Sequence, residues 1–393
     1  DSARMLASTG MGNIKSGLVI SADFNNYFSK DGSKLFFGLM PDRRVKDTSL
    51  VDFETAKLDV WNYKDDYLQP QQLVQLNNEL KRSWLTVFHS RTGKLVQLGT
   101  DSSEMIYPSI EGNGRYALGT SNRNYRVQQQ WTMNGMVNLY LVDMETGSRK
   151  PIAEQVSMGM ARISPAGQYI SWYDVKKKHW MVYDIKKSSS TQLTKGISVP
   201  LYDEDDDHPA DPPPHGLMGW QEGDRYAYVY DKYDVWRCDP AGMEKPVNLT
   251  LGEGRKLGVS LRYNSVDPDQ KYFQDGDTIL FNLFDHKSKG FGWQLHTLGT
   301  GFRFDNGKPA IQEAVVSSAV KAKDAGVAAF IRQTPAGLDI YKSGWKEISN
   351  AAAYAKMSSI NPQQKEYNWF SVELHRWKML DGKMSEGLLY KPE

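Results

Sequence analysis

Apolar and polar positions alternate most clearly between Asp224 and Thr250, in DRYAYVYDKYDVWRCDPAGMEKPVNLT. Tyr226, Tyr228 and Tyr230 alternate with Ala227 and Val229, a period of two that predicts a strand. The turn-prone pair Asp231-Lys232 follows, and Val235-Trp236 opens a second strand. Pro240-Ala241-Gly242 turns the chain, and Val247-Asn248-Leu249-Thr250 opens a third.

The same form recurs. Asp31-Gly32 precedes the apolar run Leu35-Phe36-Phe37, Asn113-Gly114 precedes Tyr116-Ala117-Leu118, and Ala166-Gly167 precedes Tyr169-Ile170-Ser171-Trp172. Weaker copies lie at 219–224, 274–281 and 323–330. After a long first interval the turns recur about every 50 residues, the spacing of a four-stranded propeller blade. Each turn has a companion apolar run with an Asp in or beside it: Leu58-Asp59-Val60-Trp61, Leu139 to Asp143, Trp180 to Asp184, Asp234-Val235-Trp236 and Leu338-Asp339-Ile340-Tyr341. An Asp there accepts hydrogen bonds from turn amides. The expected fold is all-β, a β-propeller of four-stranded antiparallel blades with six repeats visible.

Two segments break the rhythm in the first interval. Residues 47–57 (DTSLVDFETAK) and 65–76 are expected to form short helices, the second with a cap-like Asp65. Residues 1–370 are thus read as blades with helical insertions near 47–80. In 371–393 a hairpin turns on Asp381-Gly382 and is not followed by another blade. Neither chain end reads as a natural boundary.

Composition narrows the function classes. Aromatic residues make up 12% of the 393, including 21 Tyr and 11 Trp, which favours strands. A net charge of +1 gives no electrostatic case for nucleic acid. No apolar run approaches the ~20 residues that span a bilayer. The single Cys238 excludes an intrachain disulfide, and it reads as a lone thiol on a strand rather than a nucleophile.

Candidate chemistry is sparse. Leu201 to Gly219 carries five consecutive acids, Asp203 to Asp207, then His208, a Pro run and His215. It reads as a solvated loop stiffened by prolines; a cation or amine site is the sharper alternative. Its spacing matches no calcium loop. The seven His (His89, His179, His208, His215, His286, His296 and His375) are scattered with no close pair, which argues against a metal-dependent propeller enzyme. No metal and no cofactor is expected.

The hairpin RWKMLDGKMSEGLLYKPE resembles the segment by which prolyl oligopeptidase family serine peptidases pass from propeller to α/β-hydrolase domain. FSKDGSKLFFG, DKYDVWRCDPAG and PHGLMGW are similar to propeller segments of that family's dipeptidyl-peptidase-like branch. The resemblance implies an exported protein, periplasmic or secreted, that hydrolyses peptides or releases dipeptides from N-termini. It implies a peptide substrate, a C-terminal hydrolase domain in cis, and a ring of seven or eight blades; against six visible repeats, either the missing blades precede Asp1, which is the expectation, or the repeats close as a smaller ring. The chemistry of that family needs Gly-x-Ser-x-Gly, with Asp and His further on. None occurs here; the nearest stretch is Gly119-Thr120-Ser121-Asn122. No catalytic residue is therefore assigned, and the triad is expected on the hydrolase domain. Glu54, in the first insertion, and Glu204, in the acidic loop, are the candidates for holding a substrate amine, as acids of a propeller insertion do in that branch. The alternative is a stand-alone propeller that binds or scaffolds without catalysis.

Overall fold

The computed structural model describes residues 5–11, 14–43, 49, 51, 53, 58–101, 105–132 and 135–392. The chain divides into two units: Asp1–Lys195 with Glu204–Pro213 and Pro240–Met243, and Gly196–Asp203 with Pro214–Asp239 and Glu244–Glu393.

The first unit holds three antiparallel sheets. In the first, β1 (Leu18–Ile20), β3 (Lys34–Pro41), β4 (Trp84–His89) and β5 (Lys94–Gln97) pair in that order, and β2 (Tyr27–Phe28) also pairs with β3. The second runs β6 (Met105–Pro108), β7 (Tyr116–Ser121), β8 (Met136–Asp143), β9 (Arg149–Ser157). The third runs β10 (Arg162–Ile163), β11 (Tyr169–Asp174), β12 (His179–Asp184), β13 (Ser189–Gln192).

The second unit repeats the plan. Its sheets are β14 (Leu217–Trp220), β15 (Ala227–Tyr230), β16 (Val235–Cys238), β17 (Val247–Asn248); then β18 (Val259–Asn264), β19 (Thr278–Asp285), β20 (Phe291–Thr297); then β21 (Val315–Lys321), β22 (Val327–Thr334), β23 (Gly337–Gly344), β24 (Ala355–Lys356). A separate hairpin follows, β25 (Phe370–Lys378) with β26 (Met384–Pro392). The fold is all-β, built of propeller-type blades with up-and-down strand order, one for each of the six sequence repeats.

The middle strands of the second and fifth sheets are apolar on both faces because each of these sheets packs against a sheet on either side. In β7 and β8, Leu118, Leu139 and Leu141 enter the core shared with the third sheet, while Ala117 and Val142 enter the core shared with the first. In β19, Ile279, Phe281 and Leu283 face the fourth sheet, and Leu280 faces the sixth. Successive side chains of a strand point to opposite faces, so burial on both sides gives near-continuous apolar runs. Each fully buried Leu or Phe contributes about 1.5–3 kcal/mol. Tyr228 and Tyr230, 2% and 7% exposed, enter the core shared with the fifth sheet.

Strand-end Asp residues hold their turns. Asp143 accepts from the Glu145 N–H at 2.8 Å, Asp174 from Lys176 and Lys177, Asp184 from Lys187, and Asp285 from Lys287.

Three sequence expectations change. Leu58 to Trp61 is not a strand: it is exposed and pairs with nothing in the sheets, and β4 fills the place expected for it. The second insertion does form a helix, α1 (Gln69–Leu80), later than expected. Pro70 in its first turn sets the start, as Pro lacks only an N–H that is unpaired there anyway. Leu68, not Asp65, is the N-cap. The helix proposed at 47–57 lies largely outside the described residues.

Candidate functional site

The insertion that carries α1 is clamped onto the second sheet. A second helix, α2 (Arg126–Gln129), follows β7. Arg126 Nη1 bonds Asp66 Oδ2 at 2.8 Å, its Nε donates to Asn122 Oδ1 at 3.0 Å, and its guanidinium lies 4.9 Å over the Tyr67 ring. Gln130 Nε2 donates to the Asp66 carbonyl at 3.0 Å. At the other end of α1, Arg43 donates to the carbonyls of Leu80 and Glu79, satisfying acceptors that a helix C-terminus leaves unpaired. α1 itself has no buried residue. Side-chain clamps, rather than an apolar face, therefore position it.

A cavity of about 530 Å³ opens beneath this insertion, within the size range of small-ligand pockets. Its walls are the last turn of α1 with Arg82 and Ser83, strands β6 and β7 with Met105, Tyr107 and Thr120, and the approach to β10 with Met158 and Arg162. Arg82, Arg126 and Arg162 supply three positive charges against the one acid in the lining, Glu79. Arg126 is spent on Asp66. Arg82 makes a 3.1 Å pair with Glu79 one helical turn away, an exposed contact that water and salt weaken. Among the described residues this cavity brings no serine or cysteine together with a histidine.

The residues singled out in sequence fare differently. Glu54 lies outside the described residues. Glu204 is exposed in a turn of the acidic loop and does not line the cavity. Within that loop Asp206, Asp207 and His208 place their ligand atoms within 4.8 Å of one another at the surface. The Asp206 carboxylate bonds His208, raising the imidazole above its ordinary value while its own carboxyl falls. A hard cation wants six or more oxygens, and two carboxylates and an imidazole do not supply them. Asp211 pairs with Lys176 at 3.0 Å.

The remaining nucleophile candidates are structural. Ser121 is buried at the end of β7, opposite Asn138; its Oγ accepts from the Arg123 N–H at 3.4 Å, and no Gly-x-Ser-x-Gly surrounds it. Cys238 is fully buried, and burial pushes its thiol up to about 12. Ser260 Oγ lies 2.6 Å from His286 Nε2, yet that hydroxyl also donates to the Lys232 carbonyl at 2.5 Å. The hydroxyl proton is thus committed to backbone, and His286 acts as donor in a corner lock. His89 similarly bonds the Met144 carbonyl at 3.0 Å, and His179 bonds Thr194 at 2.9 Å.

The arginine-lined cavity had no sequence signal. Arg82, Arg126 and Arg162 lie on three separate segments, and no motif spacing joins them.

No protein-family model matches the chain, and no curated protein matches it. Solved structures do. Prolyl oligopeptidase B from Galerina marginata is 10% identical, with 95% of this chain and 46% of that one covered at a TM-score of 0.42. The uncomplexed acylaminoacyl peptidase of Pyrococcus horikoshii is 11% identical, covering 94% and 51% at 0.39. Hydrazine synthase of Kuenenia stuttgartiensis is 14% identical, covering 66% and 67% at 0.34. The chain spans about half the length of the two peptidases. The likeness extends from peptidases to a synthase, and no activity passes from it to this chain.

Proposed function

We propose that this chain is the propeller portion of an exported serine peptidase of the prolyl oligopeptidase type, which hydrolyses peptides or releases dipeptides from N-termini. The propeller admits short peptides and excludes folded proteins, and the serine, histidine and aspartate of the triad belong to a hydrolase domain in cis. Glu54 and Glu204 hold the substrate amine in this reading.

One observation carries it. The β25–β26 hairpin pairs nine residues a side, from Phe370 with Pro392 to Lys378 with Met384, around the Asp381-Gly382 turn. It joins no blade among the described residues, and it leaves Trp377, Leu380, Leu388 and Tyr390 44%, 110%, 57% and 58% exposed. A lone two-stranded hairpin is marginal in water, and a long apolar edge invites aggregation. Polar contacts tie it to β19–β20 of the same unit: Arg376 Nη2 donates to the Lys287 carbonyl at 2.6 Å, and Glu386 pairs with Lys289. A following domain that continues this sheet would cover the apolar residues, and the resemblance of RWKMLDGKMSEGLLYKPE to the family linker names that domain.

The test is the intact mass of the native gene product together with its labelling by a fluorophosphonate probe. The expected product exceeds 44.6 kDa by one or two domain-sized units of roughly 100–200 residues, with one serine in the added part labelled. A product of 44.6 kDa that takes no label would overturn the reading and leave a stand-alone binding propeller.

A further inference from the structure

We propose that the cavity beneath α1 binds the carboxylate of a short apolar peptide, with Arg162 as the group that receives it. The inference deepens the peptidase reading above by naming what one end of the substrate meets.

The hydrogen bonds of Arg162 carry the argument. Its Nη1 donates to the carbonyls of Gly159 and Ala161, both at 2.7 Å. These two bonds fix the guanidinium plane through one nitrogen only. The Nε and Nη2 edge keeps two parallel N–H groups, the fork that matches a carboxylate in bidentate geometry. No carboxylate among the described residues pairs with Arg162. The other cations of the cavity are already engaged, Arg126 by Asp66 and Arg82 by Glu79.

The rest of the lining says what accompanies the charge. Met105, Tyr107 and Met158 stand 54%, 45% and 47% exposed beside the arginine. Apolar surface of this kind, set around one fixed cation in a recess of about 530 Å³, suits a ligand with apolar side chains and a single negative end. A phosphate would call for several uncommitted charged donors or a run of backbone N–H groups, and Arg162 is the one arginine of the described lining without a carboxylate partner. A peptide terminus or acidic side chain needs no more than that edge.

The experiment is calorimetric titration of the native full-length product, using an N-acetylated tripeptide of apolar residues with a free C-terminal carboxylate, and separately its C-terminal amide. Acetylation removes the amine, so binding at Glu54 or Glu204 does not enter. The acid is expected to bind the wild-type protein at least about tenfold more tightly than the amide. Arg162→Gln should abolish that preference, and Arg162→Lys should restore part of it as a point charge without the fork. Equal binding of acid and amide to the wild-type protein would sink the proposal, as would a preference that survives Arg162→Gln, no binding of either peptide at millimolar concentration, or displacement by inorganic phosphate at an equal concentration. The wild-type comparison needs no variant, so misfolding of Arg162→Gln cannot hide the answer. Fluorophosphonate labelling separates the two readings. A labelled protein without acid preference loses only this site, and an unlabelled one with the preference loses only the peptidase assignment.

Discussion

The Thr250 hydroxyl donates a 2.6 Å hydrogen bond to Asp234 Oδ1, and both residues are fully buried. The same oxygen accepts from the Gly254 N–H at 3.1 Å, and Oδ2 accepts from the Arg255 N–H at 3.2 Å. One carboxylate thus ties the start of β16 to the chain beyond β17 and to the short helix α3 (Glu253–Leu257). Its neighbour Asp231 takes the Tyr233 and Asp234 N–H groups, the Trp236 indole at 2.8 Å, and Arg255 Nη2 at 3.3 Å.

Asp234→Ala should therefore cost about 2–4 kcal/mol, since it leaves the Gly254 and Arg255 amides without this acceptor and the Thr250 hydroxyl with only Asn248 Oδ1 at 3.1 Å. Thr250→Val removes both the donor to Asp234 and the acceptor of the Val235 N–H at 3.2 Å, and should cost about 1–2 kcal/mol. Urea unfolding measures both. Burial holds the Asp234 carboxyl above its ordinary value, despite the Thr250 hydrogen bond. A carboxyl raised in the fold binds its proton more tightly there than in the unfolded chain. Its own contribution therefore favours the fold at low pH and fades as pH rises through the folded value. Asp234→Asn should retain the Thr250 contact, cost less than Asp234→Ala, and remove this pH dependence.

Asp339 works in the opposite sense. The Lys356 ammonium bonded to it, with the Ile360 N–H and the Ser358 hydroxyl, holds its carboxyl down to about 2 from an ordinary 3.8. A depressed carboxyl stabilises above its unfolded value and loses that contribution as pH falls through the folded one. Amide exchange at Ile360 should accelerate between pH 3.8 and about 2, beyond the intrinsic change with pH. Asp339→Asn should show the faster exchange already at neutral pH.

Gly292 in β20 leaves no room for a side chain. A Cβ there would sit 2.0 Å from the Ala310 carbonyl oxygen, a backbone atom. Gly292→Ala must push the two segments apart, and a cost of about 1–3 kcal/mol is expected in the same unfolding experiment. Gly301→Ala is the control, because nothing lies within 4 Å of its Cβ position.

Cys238 should not react with a thiol reagent at pH 8 in the folded protein, and should react at once in denaturant. Its thiol is fully buried and raised to about 12, so almost no thiolate is present. Rapid native-state reaction would show that β16 opens locally.

Sequence alone determined the blades. Glycine turns and period-two apolar runs are local, and each strand's alternation is dictated by backbone geometry, so six repeats could be counted without coordinates. The strand-end Asp contacts were legible for the same reason, as a side chain meeting amides two or three residues on. The Asp381-Gly382 hairpin was legible too. Tertiary structure decided what depends on distant partners. Leu58 to Trp61 has the composition of a strand and pairs with no strand among the described residues. Tyr228 and Tyr230 are covered on account of neighbouring sheets, which no window of sequence contains. The arginine cavity joins residues 82, 126 and 162, held together by an insertion clamped through Asp66 and Arg126. A binding site assembled across three segments leaves no spacing to read, because through-space proximity, not sequence separation, sets its electrostatics.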